Sequence, residues 1–98
     1  MIERRLYVGK KAIKTGTRSS SEACPIALTL LHHGFRQPHV RLRTASFKYH
    51  GKTYFGWLPP VAVQFIDTFD AGYSDSPSRL SPFSFTLKAK RWDSKHGK

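Results

Sequence analysis

Four cations, Arg41, Arg43, Lys48 and Lys52, stand among His39, His50 and Tyr54 in the stretch PHVRLRTASFKYHGKTYFGW, residues 38–57. Guanidinium and ammonium groups neutralise phosphates, and an exposed aromatic ring stacks on a nucleobase for about 1–3 kcal/mol. Read by alternation, His39, Arg41 and Arg43 share one side of a strand, and Val40 and Leu42 take the other. Two arginines placed so lie about 7 Å apart, close to the spacing of successive phosphates. Lys48 adds to them from the neighbouring strand, and Lys90 and Arg91 bring further charge near the end of the chain. The candidate set for anion or nucleic-acid contact is therefore Arg41, Arg43, Lys48, Lys52, Tyr54, Lys90 and Arg91. The same residues admit a plainer reading, a solvated basic face over an aromatic core. Phe47, Phe55, Phe83 and Phe85 are assigned to that core, whereas Tyr54, Tyr73 and Trp92 are balanced between core and surface.

Other chemistries find less support. Five histidines and one cysteine raise the question of a metal, but His32 and His33 are adjacent and diverge on a helix. His39, His50 and His96 have no partner at ligand spacing, and a zinc site needs three or four ligands. Asp67 and Asp70, three apart, suit the outer face of a helix better than paired acid–base work. No phosphate-binding glycine loop and no nucleophile-elbow motif occurs. A thiol at a helix N-terminus can be reactive, yet Cys24 falls on the apolar side of its helix, where packing is its expected role. The sequence points to a protein without catalytic residues, metal or cofactor.

Charge is the strongest global signal. Seventeen Lys and Arg against six Asp and Glu give a net charge of +11, which favours polyanions: nucleic acid, anionic nucleotides or an acidic protein face. Hydrophobic residues at 39% with 13% aromatic suffice for one core in 98 residues, so a single domain is expected. No apolar run approaches the roughly 20 residues that span a bilayer. Arg4 and Arg5 are not followed by the apolar segment of a secretory signal, and a lone cysteine suits a reducing compartment. The expected setting is the cytoplasm, away from membranes.

The elements that must position these residues follow from periodicity. Residues 4–9 read as a first strand with Leu6 and Val8 inward, and 10–18 as a loop or single turn anchored by Ile13. Ser19 to Glu22 and Pro25 mark a helix start, and Cys24, Ala27, Leu30 and Leu31 its apolar side, giving a helix over 23–33 closed by Gly34. The opening stretch supplies strands, with His50-Gly51-Lys52 as a tight reversal. Leu58-Pro59-Pro60 ends the last of them and begins a second helix. Ala62, Phe65, Ile66 and Phe69 form its stripe, widened by Val61. Residues 72–82 read as a Ser/Pro/Gly loop, 83–87 as a closing strand and 89–98 as a flexible basic tail. The expected fold is α+β, a three- to five-stranded antiparallel sheet with two helices on one face.

Three separated strings, CPIALTLL at 24–31, LPPVAVQFIDTFDAG at 58–72 and PFSFTL at 82–87, together form a further pattern. In this order they resemble a group of short proteins encoded by bacteriophages and prophages, over about residues 20–88. The resemblance implies a phage accessory origin, a host-cell setting and a compact α+β fold; it carries over no catalytic residues. With the charge, it leads to a non-enzymatic accessory protein that binds nucleic acid or a nucleoprotein, as an anti-CRISPR-like inhibitor of host defence would. Two alternatives stand beside it. One is a homo-oligomeric sponge for an anionic nucleotide messenger, and the other is a protein–protein inhibitor of a host complex.

Overall fold

The computed structural model describes residues 1–17, 20–71 and 81–92. The elements run β1 (Ile2–Val8), α1 (Lys10–Thr15), α2 (Pro25–His32), β2 (Arg36–Val40), β3 (Thr44–Tyr49), β4 (Lys52–Trp57), α3 (Pro60–Ala71) and β5 (Phe83–Arg91). All five strands pair antiparallel in the order β1-β5-β4-β3-β2, so the last strand in sequence occupies a central position between the first and the fourth. This is the expected α+β architecture, at the upper end of the expected strand number.

Register sorts the strand residues into two faces. Leu6 stands opposite Phe85 and Ala89 opposite both Ile2 and Gly56, so the centre of one face is apolar, while Arg4, opposite Leu87, brings a charge onto it from the edge strand. Ile13 of α1, Ile26, Ala27 and Leu30 of α2, and Ala62, Phe65, Ile66 and Phe69 of α3 join these side chains in a single buried cluster. All three helices therefore cover that one face. The sheet curls around them. Helix α2 touches both edge strands, and the Arg4 guanidinium of β1 sits 5.2 Å from the ring of Phe35, which precedes β2.

Local chemistry explains the boundaries. Pro25 occupies the first turn of α2, and the Cys24 Sγ accepts the Ala27 N–H at 3.4 Å, so cysteine rather than a serine caps this helix and it begins two residues later than its spacing suggests. At its far end Gly34 takes φ +88, the left-handed conformation glycine adopts most easily. Residues 10–15 form a third, six-residue helix where a loop or turn is expected, because burial of Ile13 holds it against α2. The stripe of α3 is buried as its spacing requires, whereas Val61 in its first turn is exposed; Leu31 of α2 is exposed as well.

The largest difference lies at the end of β5. Strand pairing continues through Arg91 instead of stopping at Leu87, since Ala89 is buried opposite Gly56 and the Trp92 N–H donates to the Thr53 carbonyl at 2.7 Å. The first part of the expected tail, 89–92, is thus structural; 93–98 lie outside the described residues, as do Tyr73 and most of the expected 72–82 loop.

Candidate nucleic-acid interface

The hairpin of β3 and β4 decides which aromatic rings reach solvent. His50 and Gly51 have φ of 51 and 75, so the reversal takes two residues, and Tyr49 pairs directly with Lys52. Odd-numbered residues of β3 therefore stand opposite even-numbered residues of β4. Phe47 faces Tyr54 and Ala45 faces Gly56 on the helix-covered side; Lys48 faces Thr53, Ser46 faces Phe55 and Thr44 faces Trp57 on the outer side. Phe47 and Phe85 are core residues as expected, and half-buried Phe83 packs 4.7 Å from Phe65. Phe55 is not. A two-residue turn places it on the outer face with Trp57, and Tyr54 instead stacks against Phe47 at 5.9 Å.

The outer face carries an aromatic row beside a basic one. Phe55 lies between two exposed indoles, with ring centroids 6.1 Å from Trp57 and 5.9 Å from Trp92. Trp57 is 68% exposed and Trp92 55%, and among the described residues no helix lies over either. On β5, Lys90 stands directly opposite Phe55 and Lys88 directly opposite Trp57, so each ring has an ammonium group as its cross-strand neighbour. Arg5 of β1 is fixed across the next pairing, donating to Ser84 Oγ at 3.0 Å and Thr86 Oγ1 at 3.3 Å. From the other flank Lys48 and its partner Arg36 extend the positive surface onto β3 and β2.

Two depressions open here. One of about 640 Å³ is lined by Phe55, Trp57, Lys88, Lys90 and Trp92, with Met1 and Arg91 at its margin. The other, about 510 Å³, is lined by Arg5, Trp57, Pro59, Val61, Thr86 and Lys88. Trp57 and Lys88 border both and form the ridge between them. Gly56 makes this arrangement possible from behind. A Cβ there would drive into the Lys88 carbonyl and come within 3.1 Å of the Ala89 Cα, so only glycine lets β4 approach β5 this closely.

The residues singled out from sequence divide between several places. Lys48 and Lys90 lie on the outer face with the ring row. Tyr54, Lys52 and Arg91 belong by register to the opposite face at the hairpin end, although exposed Arg91 also reaches the margin of the larger depression. Arg41 and Arg43 are exposed but do not share a strand. Strand β2 stops at Val40, the Arg41 N–H donates to Thr44 O at 2.8 Å, and Arg43 O accepts the Leu58 N–H at 2.8 Å, making 41–43 a tight connection. Leu42 is accordingly exposed. Arg41 borders a separate depression with Ser20, Ser21 and Ile66 on the helix side. Sequence reasoning missed Phe55 and Trp57 as surface rings and passed over Lys88 and Arg5. The signal for the two rings is the length of the His50-Gly51 turn, which sets the phase of β4; Arg5 and Lys88 follow from alternation with Leu6 on β1 and Leu87 on β5.

Among the described residues no group of three or more His, Cys, Asp or Glu could hold a metal ion, and no helix is long and apolar enough to cross a membrane. The Cys24 thiol is buried, and desolvation raises its pKa, which keeps it a packing group. Desolvation lowers the pKa of His33, assisted by the charges of Arg4 and His32. No protein-family model, curated protein or solved structure matches the chain.

Proposed function

We propose that the protein is a non-enzymatic nucleic-acid-binding protein, acting on a nucleic acid or a nucleoprotein through the outer face of its sheet. The observation that carries this reading is the pairing of rings with cations, Trp57 with Lys88 and Phe55 with Lys90, on a face that no described helix covers. Burial drives large rings inward, so two exposed tryptophans in contact with a third ring mark an interaction surface. The ammonium groups beside them, and a net charge of +11, complement phosphate. The resemblance to phage accessory proteins adds the setting within the same proposal: a host cell's cytoplasm, with a defence complex that carries nucleic acid as the target.

The chain has two tryptophans, and both lie on this face, so intrinsic fluorescence reports on it directly. Titration with a mixed-sequence oligonucleotide should quench that emission, and the logarithm of the affinity should fall linearly with the logarithm of salt concentration. Unchanged emission with no measurable affinity at low salt refutes the proposal. Equal affinity for an isolated dinucleotide and for a long oligonucleotide reassigns the face to a nucleotide ligand.

A further inference from the structure

The ring row has a spacing of its own, and from it we infer that this face takes a single strand with its bases unstacked, one base to each ring. This inference rests on the nucleic-acid reading above and narrows it to single-stranded DNA or RNA. Residues two apart on a strand lie about 6.8 Å apart and point the same way. Phe55 and Trp57 are so related on β4, and Lys90 and Lys88 repeat the step on β5 directly opposite. Trp92, just past the end of β5, continues the row on the far side of Phe55, at 5.9 Å. An extended polynucleotide advances by a similar distance per nucleotide. A strand laid along β4 and β5 therefore presents successive bases to Trp57, Phe55 and Trp92, with Lys88 and Lys90 beside successive phosphates.

The rings themselves select against a duplex. Phe55 and Trp57 meet at an interplanar angle of 80°, and Phe55 and Trp92 at 59°. Rings inclined like this cannot clamp one base in a sandwich; the two indoles are exposed, and half-buried Phe55 offers the part of its ring that they leave uncovered. A base reaches such a face only when it has left its neighbours, as bases of a single strand do at little cost and paired bases do not. Stacking of this kind tolerates any base, so the face binds by strandedness rather than by sequence. Phosphate contact from Lys88 and Lys90 fixes where the strand lies without reading it.

The test is fluorescence anisotropy of labelled oligo-dT, oligo-rU and a blunt hairpin duplex of matched charge, with wild-type protein at fixed low salt. Both single strands should bind at least about tenfold more tightly than the duplex, with affinity rising steeply up to about three or four nucleotides and slowly beyond. Phe55→Ala and Trp57→Ala should each weaken oligo-dT binding by about 5- to 150-fold while leaving the weak duplex affinity in place. Trp57 is exposed, so its variant keeps the test valid should Phe55→Ala fold poorly. Lys88→Gln with Lys90→Gln should make the salt slope shallower by about 1.4. Equal affinity for duplex and single strands, with both ring variants unchanged, overturns the inference but leaves the broader nucleic-acid reading standing. Absence of binding to all three probes overturns both.

Discussion

The two faces of one sheet use the same residue types for opposite ends. On the inner face Phe47, Tyr54 and Phe85 pack under helices, and Arg4 lies over the Phe35 ring. On the outer face Phe55 contacts Trp57 on one side and Trp92 on the other, with lysines opposite Phe55 and Trp57 and no described helix above them. Tyr54 and Phe55 are adjacent in sequence yet belong to these two surfaces. Aromatic content therefore says little about function until strand phase is known. An inner ring stabilises by leaving water, whereas an exposed outer indole stays hydrated and open to a ligand.

Substitutions that break the inner face should have the largest effect. Phe65→Ala removes a buried ring that packs 4.7 Å from Phe83 and 5.8 Å from Phe69, and it should cost about 3–5 kcal/mol in chemical denaturation. That is a large share of the roughly 5–15 kcal/mol typical of a domain. A melting temperature equal to the parent's would contradict the packing of α3. Gly56→Ala acts on both faces at once, since the added methyl meets the β5 backbone. It should cost about 1–3 kcal/mol and also weaken oligonucleotide binding, because it disturbs the register of Phe55 and Trp57. Loss of stability with binding untouched would separate the ring row from the β4–β5 approach.

Charge reversals sharpen the comparison among the exposed cations. Lys88→Glu with Lys90→Glu should change stability by no more than about 0.5 kcal/mol and reduce single-strand affinity at least about tenfold at low salt. Arg41→Glu with Arg43→Glu removes as much charge from the 41–43 connection and should act more weakly, through the long-range field alone. If the arginine pair proves the stronger, the binding face has been misplaced.

The smallest effect concerns pH. Burial holds the His33 pKa below its ordinary value of 6.5 in the folded chain. The unfolded chain therefore takes up its proton first as pH falls, so this contribution is intact above about 6.5 and is lost on acidification toward the folded-state pKa. His33 is partly exposed, which keeps the effect small. Denaturation midpoints at pH 7.5 and 5.5 should lie slightly closer together in His33→Gln than in the parent; an unchanged gap would assign the acid sensitivity elsewhere.

Much of this was legible in the sequence, and each failure has its own physical cause. The stripe of α3, the burial of Cys24 and the α+β class follow from spacings of three, four and two residues, which depend on local geometry alone. The face of β4 does not. A reversal of three residues and one of two differ by a single position, and that position exchanges the two faces of the strand. His50 at positive φ completes the shorter turn beside Gly51; histidine adopts this conformation more readily than most residues but still in a minority of cases, so the sequence leaves both turn lengths open. The connection at 41–43 was hidden likewise, because RLRT alternates as a strand does while its backbone turns. The end of β5 rests on pairing with Ile2 and Gly56, distant in sequence, which no local pattern reveals.

The central claim is that binding belongs to the outer face, and amide chemical-shift mapping tests it most directly. Isotope-labelled protein would be titrated with a short single-stranded oligonucleotide. The largest shifts should fall on residues 53–57 and 86–92 and on both indole N–H groups, with α2 and the buried stripe of α3 unmoved. Shifts confined to the 41–43 connection and to Lys52 and Tyr54, with the indoles silent, would contradict the account.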